Sequence, residues 1–337
     1  MKKFKYTDSP IEVHGIPFYK ENGKLNRIPE ADIGKFPRLS HLGKRTPGAR
    51  LCFRTNSENL LVRMTLETLS VDIGMSIFGC QSVSVLVGDR GHERFAGLLC
   101  PNNYETKTVE KIFKKSADEE EVTLFFPRNE VVANIEIEID DDATISAPTP
   151  YKYGPILYYG SSITEGGCCQ RVTNAYNALI SSWLDVDYYN FGFSGSALAE
   201  LEMAELINRI PMSVFVMDYD HNAPNVEHLE KTHESFFKAV RNANPDMPIV
   251  IMSAPIFTRS ADWDKRAEVV EQTYKNAVAS GDQNVWFVDG RTYFGEIAEL
   301  CSCDCVHPND LGFYNMAKTV APVIKEALAK AELNLTK

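Results

Sequence analysis

Between Asp140 and Pro150 the chain changes its hydrophobic rhythm, and this change restricts the fold more than any other feature. Before it, apolar residues recur at every second position. Leu60, Val62, Met64 and Leu66 alternate with Leu61, Arg63, Thr65 and Glu67; Val83, Val85 and Val87 with Ser82, Ser84 and Leu86; Ile135, Ile137 and Ile139 with Glu136, Glu138 and Asp140. A period of two is what a strand with one buried face requires. The turn formers Thr46-Pro47-Gly48, Asn56-Ser57, Gly88-Asp89 and Pro127-Arg128-Asn129 separate the runs. Short strands at such spacing predict an antiparallel β-sandwich, jelly-roll-like, over 1–150. The acidic run Asp140-Asp141-Asp142 and Ala147-Pro148-Thr149-Pro150 then form the expected boundary.

After Tyr151 the order becomes strand, loop, helix. Ile156 to Tyr159 is apolar throughout, as a strand covered on both faces must be. Further strands are predicted at Val186 to Phe191, Met212 to Met217, Ile249 to Ser253 and Val285 to Asp289. Helical spacing marks Asn174 to Leu184, the run from Val226 to Val240, about Trp263 to Ala279, and Asn309 towards Ala329. This alternation predicts an α/β domain over 151–337, a flavodoxin-like parallel sheet with helices on both faces.

The 337 residues carry a formal net charge of −11. That balance argues against nucleic acid or an anionic membrane as the main partner. Apolar runs such as Pro248 to Phe257 reach about half of the ~20 residues that span a bilayer. The charged start, Met1-Lys2-Lys3, has no apolar stretch behind it, so a cytoplasmic location is expected; homo-oligomerisation is left open. Eight cysteines in so long a chain read as reduced thiols. Cys301, Cys303 and Cys305 alternate, which would place three thiols on one face of an extended segment. They lack a second ligand pair, so no metal and no cofactor are expected. The adjacent Cys168 and Cys169 read as small structural residues.

Ligands of an open parallel sheet bind beyond the carboxyl ends of its strands. There the chain places Gly160-Ser161-Ser162, Asn190-Phe191-Gly192-Phe193-Ser194-Gly195, and Asp218-Tyr219-Asp220-His221-Asn222. Just before the last helix stands Asp304-Cys305-Val306-His307-Pro308. A serine on a strand-to-helix turn is exposed, and its backbone N–H can stabilise an oxyanion. It needs a base, and three histidines follow an aspartate by three residues: His92, His221 and His307. His92 lies in the strand-rich half. His221 competes from the proper sheet edge; His307 is preferred because a loop before a helix can reach a neighbouring turn. The Asn222 amide and the Gly195 N–H complete a candidate oxyanion hole.

These blocks resemble those of the SGNH hydrolases, the GDSL-type esterase superfamily. Gly160-Ser161-Ser162 is similar to its Gly-Asp-Ser block, Asn190 to Gly195 to its second block, Asn222 to the amide of its third, and Asp304, His307 and Pro308 to its last. Gly160-Ser161-Ser162-Ile163-Thr164 and Gly166-Gly167-Cys168 resemble a branch that often carries a β-sandwich before the catalytic domain, as do some two-domain carbohydrate acetylesterases. The resemblance implies Ser162 as nucleophile, His307 as base and Asp304 as its orienting acid. It further implies an oxyanion hole of Ser162, Gly195 and Asn222, with acyl transfer from a small acetylated sugar or oligosaccharide. The expected rim is polar: Asp220, His221, and Arg259 and Trp263 of the loop after the fourth strand. An acyltransferase with the same triad, or a non-catalytic glycan-binding protein on this fold, is the alternative. His228 and His233, five apart on a helix, read as structural.

Overall fold

The computed structural model describes residues 1–72, 74–258 and 260–335. In the amino-terminal part, two antiparallel sheets of four and six strands face each other. Two of the runs legible as alternation are direct partners across the first sheet: Leu60 pairs with Ile139, Val62 with Ile137 and Met64 with Ile135. All six are buried, and they meet Leu51, Phe53, Val83, Val85, Val122 and Leu124 of the second sheet. Burial of these branched side chains at every second position is what the period of two encodes.

The second part holds a five-stranded parallel sheet. Its strands are β1 (Tyr153–Gly160), β2 (Val186–Gly192), β3 (Val214–Asp218), β4 (Ile249–Met252) and β5 (Val285–Val288). They lie in the order β2-β1-β3-β4-β5, the flavodoxin-like arrangement. Its helices are α1 (Ser162–Glu165), α2 (Tyr176–Leu184), α3 (Leu201–Ile207), α4 (Val226–Ala243), α5 (Ala261–Ala279) and α6 (Asp310–Leu335). Ile156 and Tyr158 of β1 pack under α2 and α6, while Leu157 and Tyr159 pack under α3, α4 and α5. The continuous apolar run is thus a strand buried on both faces.

Helix starts depart from the sequence reading by less than a turn, and at the finish only α6 departs by more than a turn. α5 begins at Ala261 rather than Trp263, because Ser260 Oγ accepts the Trp263 N–H and caps it. α6 continues past Ala329 to Leu335. No helix among the described residues is long and apolar enough to cross a membrane.

The two parts share buried residues. Phe18, Ile28, Phe36 and Leu39 join the core beneath α3 and α4. The fully buried Arg27 donates to Leu42 O, Arg45 O and Asn190 O, tying the amino-terminal segment to the end of β2.

Candidate active site

Register brings three loops to one level. Gly160 pairs with Gly192 of β2 and with Asp218 of β3, so the segments after β1, β2 and β3 leave the sheet side by side. Gly160 must lack a side chain, since a Cβ there would lie 2.1 Å from Asp218 O and from Thr164 Oγ1. The chain then turns sharply into α1. Ser161 supplies its cap, Oγ accepting the Ile163 N–H at 3.1 Å, so the serine standing where the family has aspartate still closes this turn. Ser162 follows as the first helical residue, with its backbone N–H among those a helix start leaves unpaired.

The loop before α6 is shaped by the Asp304 carboxyl. Oδ1 accepts the backbone N–H groups of Val306 at 2.9 Å and of His307 at 2.7 Å, and Oδ2 meets His307 Nδ1 at 2.7 Å. The spacing of three makes both contacts possible from one side chain. On its other edge, His307 Nε2 lies 2.8 Å from Ser162 Oγ. Asp310, at the start of α6, holds the arrangement by accepting from Gln170 N at 2.8 Å and Asn174 Nδ2 at 2.9 Å. Burial raises the Asp304 carboxyl, but the hydrogen bonds from His307 outweigh it and hold the group below the usual carboxylate range.

The second and third loops carry the other candidate donors. Gly195 has φ +63, the left-handed region that its lack of a Cβ permits. Before it, Ser194 donates both its N–H (3.2 Å) and its hydroxyl to Glu165 Oε2. Glu165 is buried and takes Arg27 Nη2 at 3.4 Å on its other oxygen. Burial lowers the Arg27 guanidinium to about 10, leaving it charged near neutrality. Asn222 Oδ1 accepts the Ala197 N–H at 3.2 Å, which anchors the amide with its nitrogen outside that contact.

Around this centre the predicted rim is partly redrawn. His221 is half-buried, with its ring 4.7 Å from that of Trp263. Burial, and then the nearby His307, lower it to about 4. Trp263 lies 5.2 Å from the Arg266 guanidinium. Asp220 is not at the rim: it is 1% exposed, its Oδ2 accepts Ala254 N at 2.9 Å, and Arg266 donates to its carbonyl. The carboxyl braces the turn after β3 against the end of β4. Arg259 lies outside the described residues.

Asp218 does not orient His221, although it precedes it by three. It accepts from Thr164 Oγ1 and Tyr176 OH, each at 2.8 Å, under the serine turn. Burial, and then Asp220, raise it to about 7. Sequence reasoning saw Asp218 only as the aspartate three residues before His221, and it missed the roles of Glu165 and Arg27. His228 and His233 are structural: one meets Leu198 O at 3.0 Å and the other Thr273 Oγ1 at 2.8 Å.

The cysteines also differ from expectation. Residues 301–308 form a compact loop closed by a Ser302–Pro308 bridge, with Cys301 buried and Cys303 and Cys305 exposed, so the three thiols do not share a face. All eight cysteines are free thiols. A cavity of about 630 Å³ between α4 and α5, lined in part by Glu234, Arg241 and Asn276, does not include the serine turn.

A parallel sheet in this order, with a serine turn, a glycine loop, an amide loop and an Asp-x-x-His loop at one edge, defines the SGNH class of hydrolases. The chain belongs to the GDSL-like lipase/acylhydrolase family, which it matches over residues 153–325. Residues 2–145 match the amino-terminal domain of SGNH-hydrolase-type esterases. Its fold is similar to that of a GDSL-like lipase from Bacteroides ovatus, with TM-score 0.87 and 24% identity over 97% of this chain and 98% of that one. It is also similar to the salicylyl-acyltransferase SsfX3 of a tetracycline biosynthetic pathway, with TM-score 0.79 and 20% identity over 97% and 98%. A family two carbohydrate esterase from Clostridium thermocellum, solved with cellohexaose, gives TM-score 0.60 and 16% identity over 84% and 94%. No curated protein sequence matches the chain.

Proposed function

We propose that this family member is a serine esterase that removes short acyl groups, acetyl above all, from a carbohydrate. The observation that carries the reading is the unbroken chain from Ser162 Oγ to His307 Nε2 at 2.8 Å and from His307 Nδ1 to Asp304 Oδ2 at 2.7 Å. Ser162 Oγ attacks the ester carbonyl while His307 Nε2 takes its proton, and Asp304 holds the Nδ1–H and stabilises the imidazolium. The carbonyl oxygen becomes an oxyanion served by the N–H groups of Ser162 and Gly195 and the Asn222 amide. His307 then gives the proton to the departing sugar oxygen, leaving an acyl-enzyme. Water, deprotonated by His307, attacks that ester; the acid leaves and Ser162 regains its proton. This scheme uses no metal and no cofactor.

The substrate class rests on the surroundings. His221 lies near His307 with Trp263 packed on its ring, and the described segments directly after β1, β2 and β3 hold no long apolar run to line a fatty-acyl groove. Each buried methylene contributes about 0.8 kcal/mol, so a lipolytic enzyme needs such a groove and a deacetylase does not. The shared fold with family two carbohydrate esterases agrees with a small acetylated sugar or oligosaccharide as partner. In this reading residues 1–150 are an accessory sandwich that supports and narrows the cleft, and 151–337 carry the chemistry.

The test is a p-nitrophenyl ester series from about two to about twelve carbons, a span that resolves the per-methylene term. Acetylated oligosaccharides followed by mass spectrometry extend it to natural linkages. The reading expects kcat/KM to be highest at the shortest chains; a steady climb with length overturns it. Added alcohol acceptors separate hydrolysis from acyl transfer by the same residues.

A further inference from the structure

Beside the Asp304–His307 contact stand two thiols that the esterase scheme leaves unused. Cys168 Sγ, Cys303 Sγ and a carboxyl oxygen of Asp304 all lie within 4.8 Å of one another. Cys168 belongs to the segment that follows α1, 6% exposed, and touches Gly74 O through its thiol at 3.9 Å. Cys303 is exposed and precedes Asp304 directly. Neither Cys301 nor Cys305 takes part, so this is not the alternating trio visible in the sequence.

We propose that Cys168, Cys303 and Asp304 form a binding site for a thiophilic divalent cation, zinc by its chemistry, and that occupancy switches the esterase off. In a tetrahedral site with Zn–S bonds of about 2.3 Å, ligand atoms sit roughly 3.5–3.8 Å apart. The observed group needs to close by no more than about 1.3 Å to reach that spacing. Two sulfurs and one oxygen match the preference of zinc, with water as the fourth ligand. Cys303 opens the path from solvent. Binding displaces one proton from each thiol to the solvent, forms two Zn–S bonds and one Zn–O bond, and requires no oxidant.

The inhibitory consequence rests on Asp304 acting as the partner of His307; the binding does not. Both Asp304 oxygens are engaged by His307, one by the ring and one by the backbone. Coordination draws the carboxyl towards the sulfurs, and the imidazole loses the group that fixes its Nδ1 proton.

The experiment uses the full chain, freshly reduced with a phosphine and freed of metal. Zinc chloride is titrated against a chromophoric chelator, cobalt(II) is added separately to read thiolate-to-metal charge transfer, and ester hydrolysis is followed in parallel. The expected result is one cation per chain, a cobalt thiolate band, and at least about 10-fold loss of hydrolysis at saturating zinc, reversed by EDTA. Cys303→Ser, an exposed change that leaves the core intact, should keep its activity, lose the thiolate band or halve it, and bind at least about 10-fold more weakly. Cys168→Ser should behave likewise. Zinc binding unchanged in Cys303→Ser, or cobalt binding without a thiolate band, overturns the site. A thiolate-bound cation that leaves hydrolysis untouched overturns the switch. A chain inactive on every ester, yet binding cobalt through both thiols, upholds the site and counts against the esterase reading alone.

Discussion

Asp304 divides its carboxyl between two parts of His307: Oδ1 takes the backbone N–H and Oδ2 meets ring Nδ1, each at 2.7 Å. The first contact shapes the loop and the second sets the tautomer. An asparagine can serve the first, because its oxygen still accepts from the backbone. It fails at the second when its N–H faces Nδ1, since the ring must then carry its proton on Nε2 and cannot accept from Ser162. Asp304→Asn is therefore expected to lower kcat by at least ~100-fold with an unchanged circular dichroism spectrum. A near-normal kcat in a folded variant removes Asp304 from the mechanism.

Glu165 reaches the Gly195 loop from inside. By holding the Ser194 N–H and hydroxyl, it fixes the residue before Gly195. Glu165→Gln preserves an acceptor and should cost only a few-fold in kcat, whereas Glu165→Ala releases the loop and should cost roughly 10²-fold, the scale of one lost oxyanion donor. Steady-state kinetics on both decide it, and equal effects contradict the positioning role. Glu165→Ala also leaves Arg27 as a buried charge without its carboxylate, so its Tm should fall as well.

His221 is held at about 4, so it is neutral at any pH above 5. Its titration therefore cannot set an acid limb of the activity above that pH. His221→Asn and Trp263→Ala are expected to raise KM for acetylated sugars about 3- to 30-fold, the scale of one lost hydrogen bond or ring contact. Their acid limbs in kcat/KM should match that of the wild type. A displaced acid limb in His221→Asn contradicts the assignment of the base.

Asp218 predicts how stability varies with pH. Its folded-state value, about 7, lies above the ordinary 3.8 because burial disfavours the charge. The folded state therefore binds the extra proton, and the contribution is complete below pH 4 and lost as pH rises through 7. The gap corresponds to a ceiling of roughly 4 kcal/mol. Asp220, raised to about 6 by burial, acts in the same direction. Denaturant unfolding at several pH values should show wild-type stability declining between pH 5 and 8, and a flatter dependence in Asp218→Asn. Identical slopes in the two proteins contradict a protonated Asp218.

What the sequence discloses of this site follows the range of its interactions. Ser162, Gly195 and Asn222 each stand directly after a strand, and Asp304 and His307 are three residues apart, so strand periodicity and local spacing expose them. Glu165 and Arg27 are 138 residues apart, and the bond between them leaves no periodic trace. Arg27 reads as an ordinary surface cation until the fold buries it. Asp218 shares the i, i+3 spacing of Asp304 but ends a strand rather than opening a loop, and it turns beneath the serine turn to Thr164 and Tyr176. Asp220 looks like a polar rim residue because the turn after β3 is polar, yet it is buried and its Oδ2 accepts the Ala254 N–H just past β4. Cys168 and Cys303 meet only because α6 and its preceding loop fold back onto the serine turn.

The central claim is that Ser162 is the nucleophile activated by His307, and a fluorophosphonate probe tests it most directly. Such a probe reacts with a serine hydroxyl made nucleophilic by a neighbouring base. Intact-mass and peptide analysis of the labelled protein should give a single adduct, located on Ser162, abolished in Ser162→Ala and greatly slowed in His307→Ala. An adduct on another residue, or no adduct on a folded and ester-hydrolysing protein, contradicts the account.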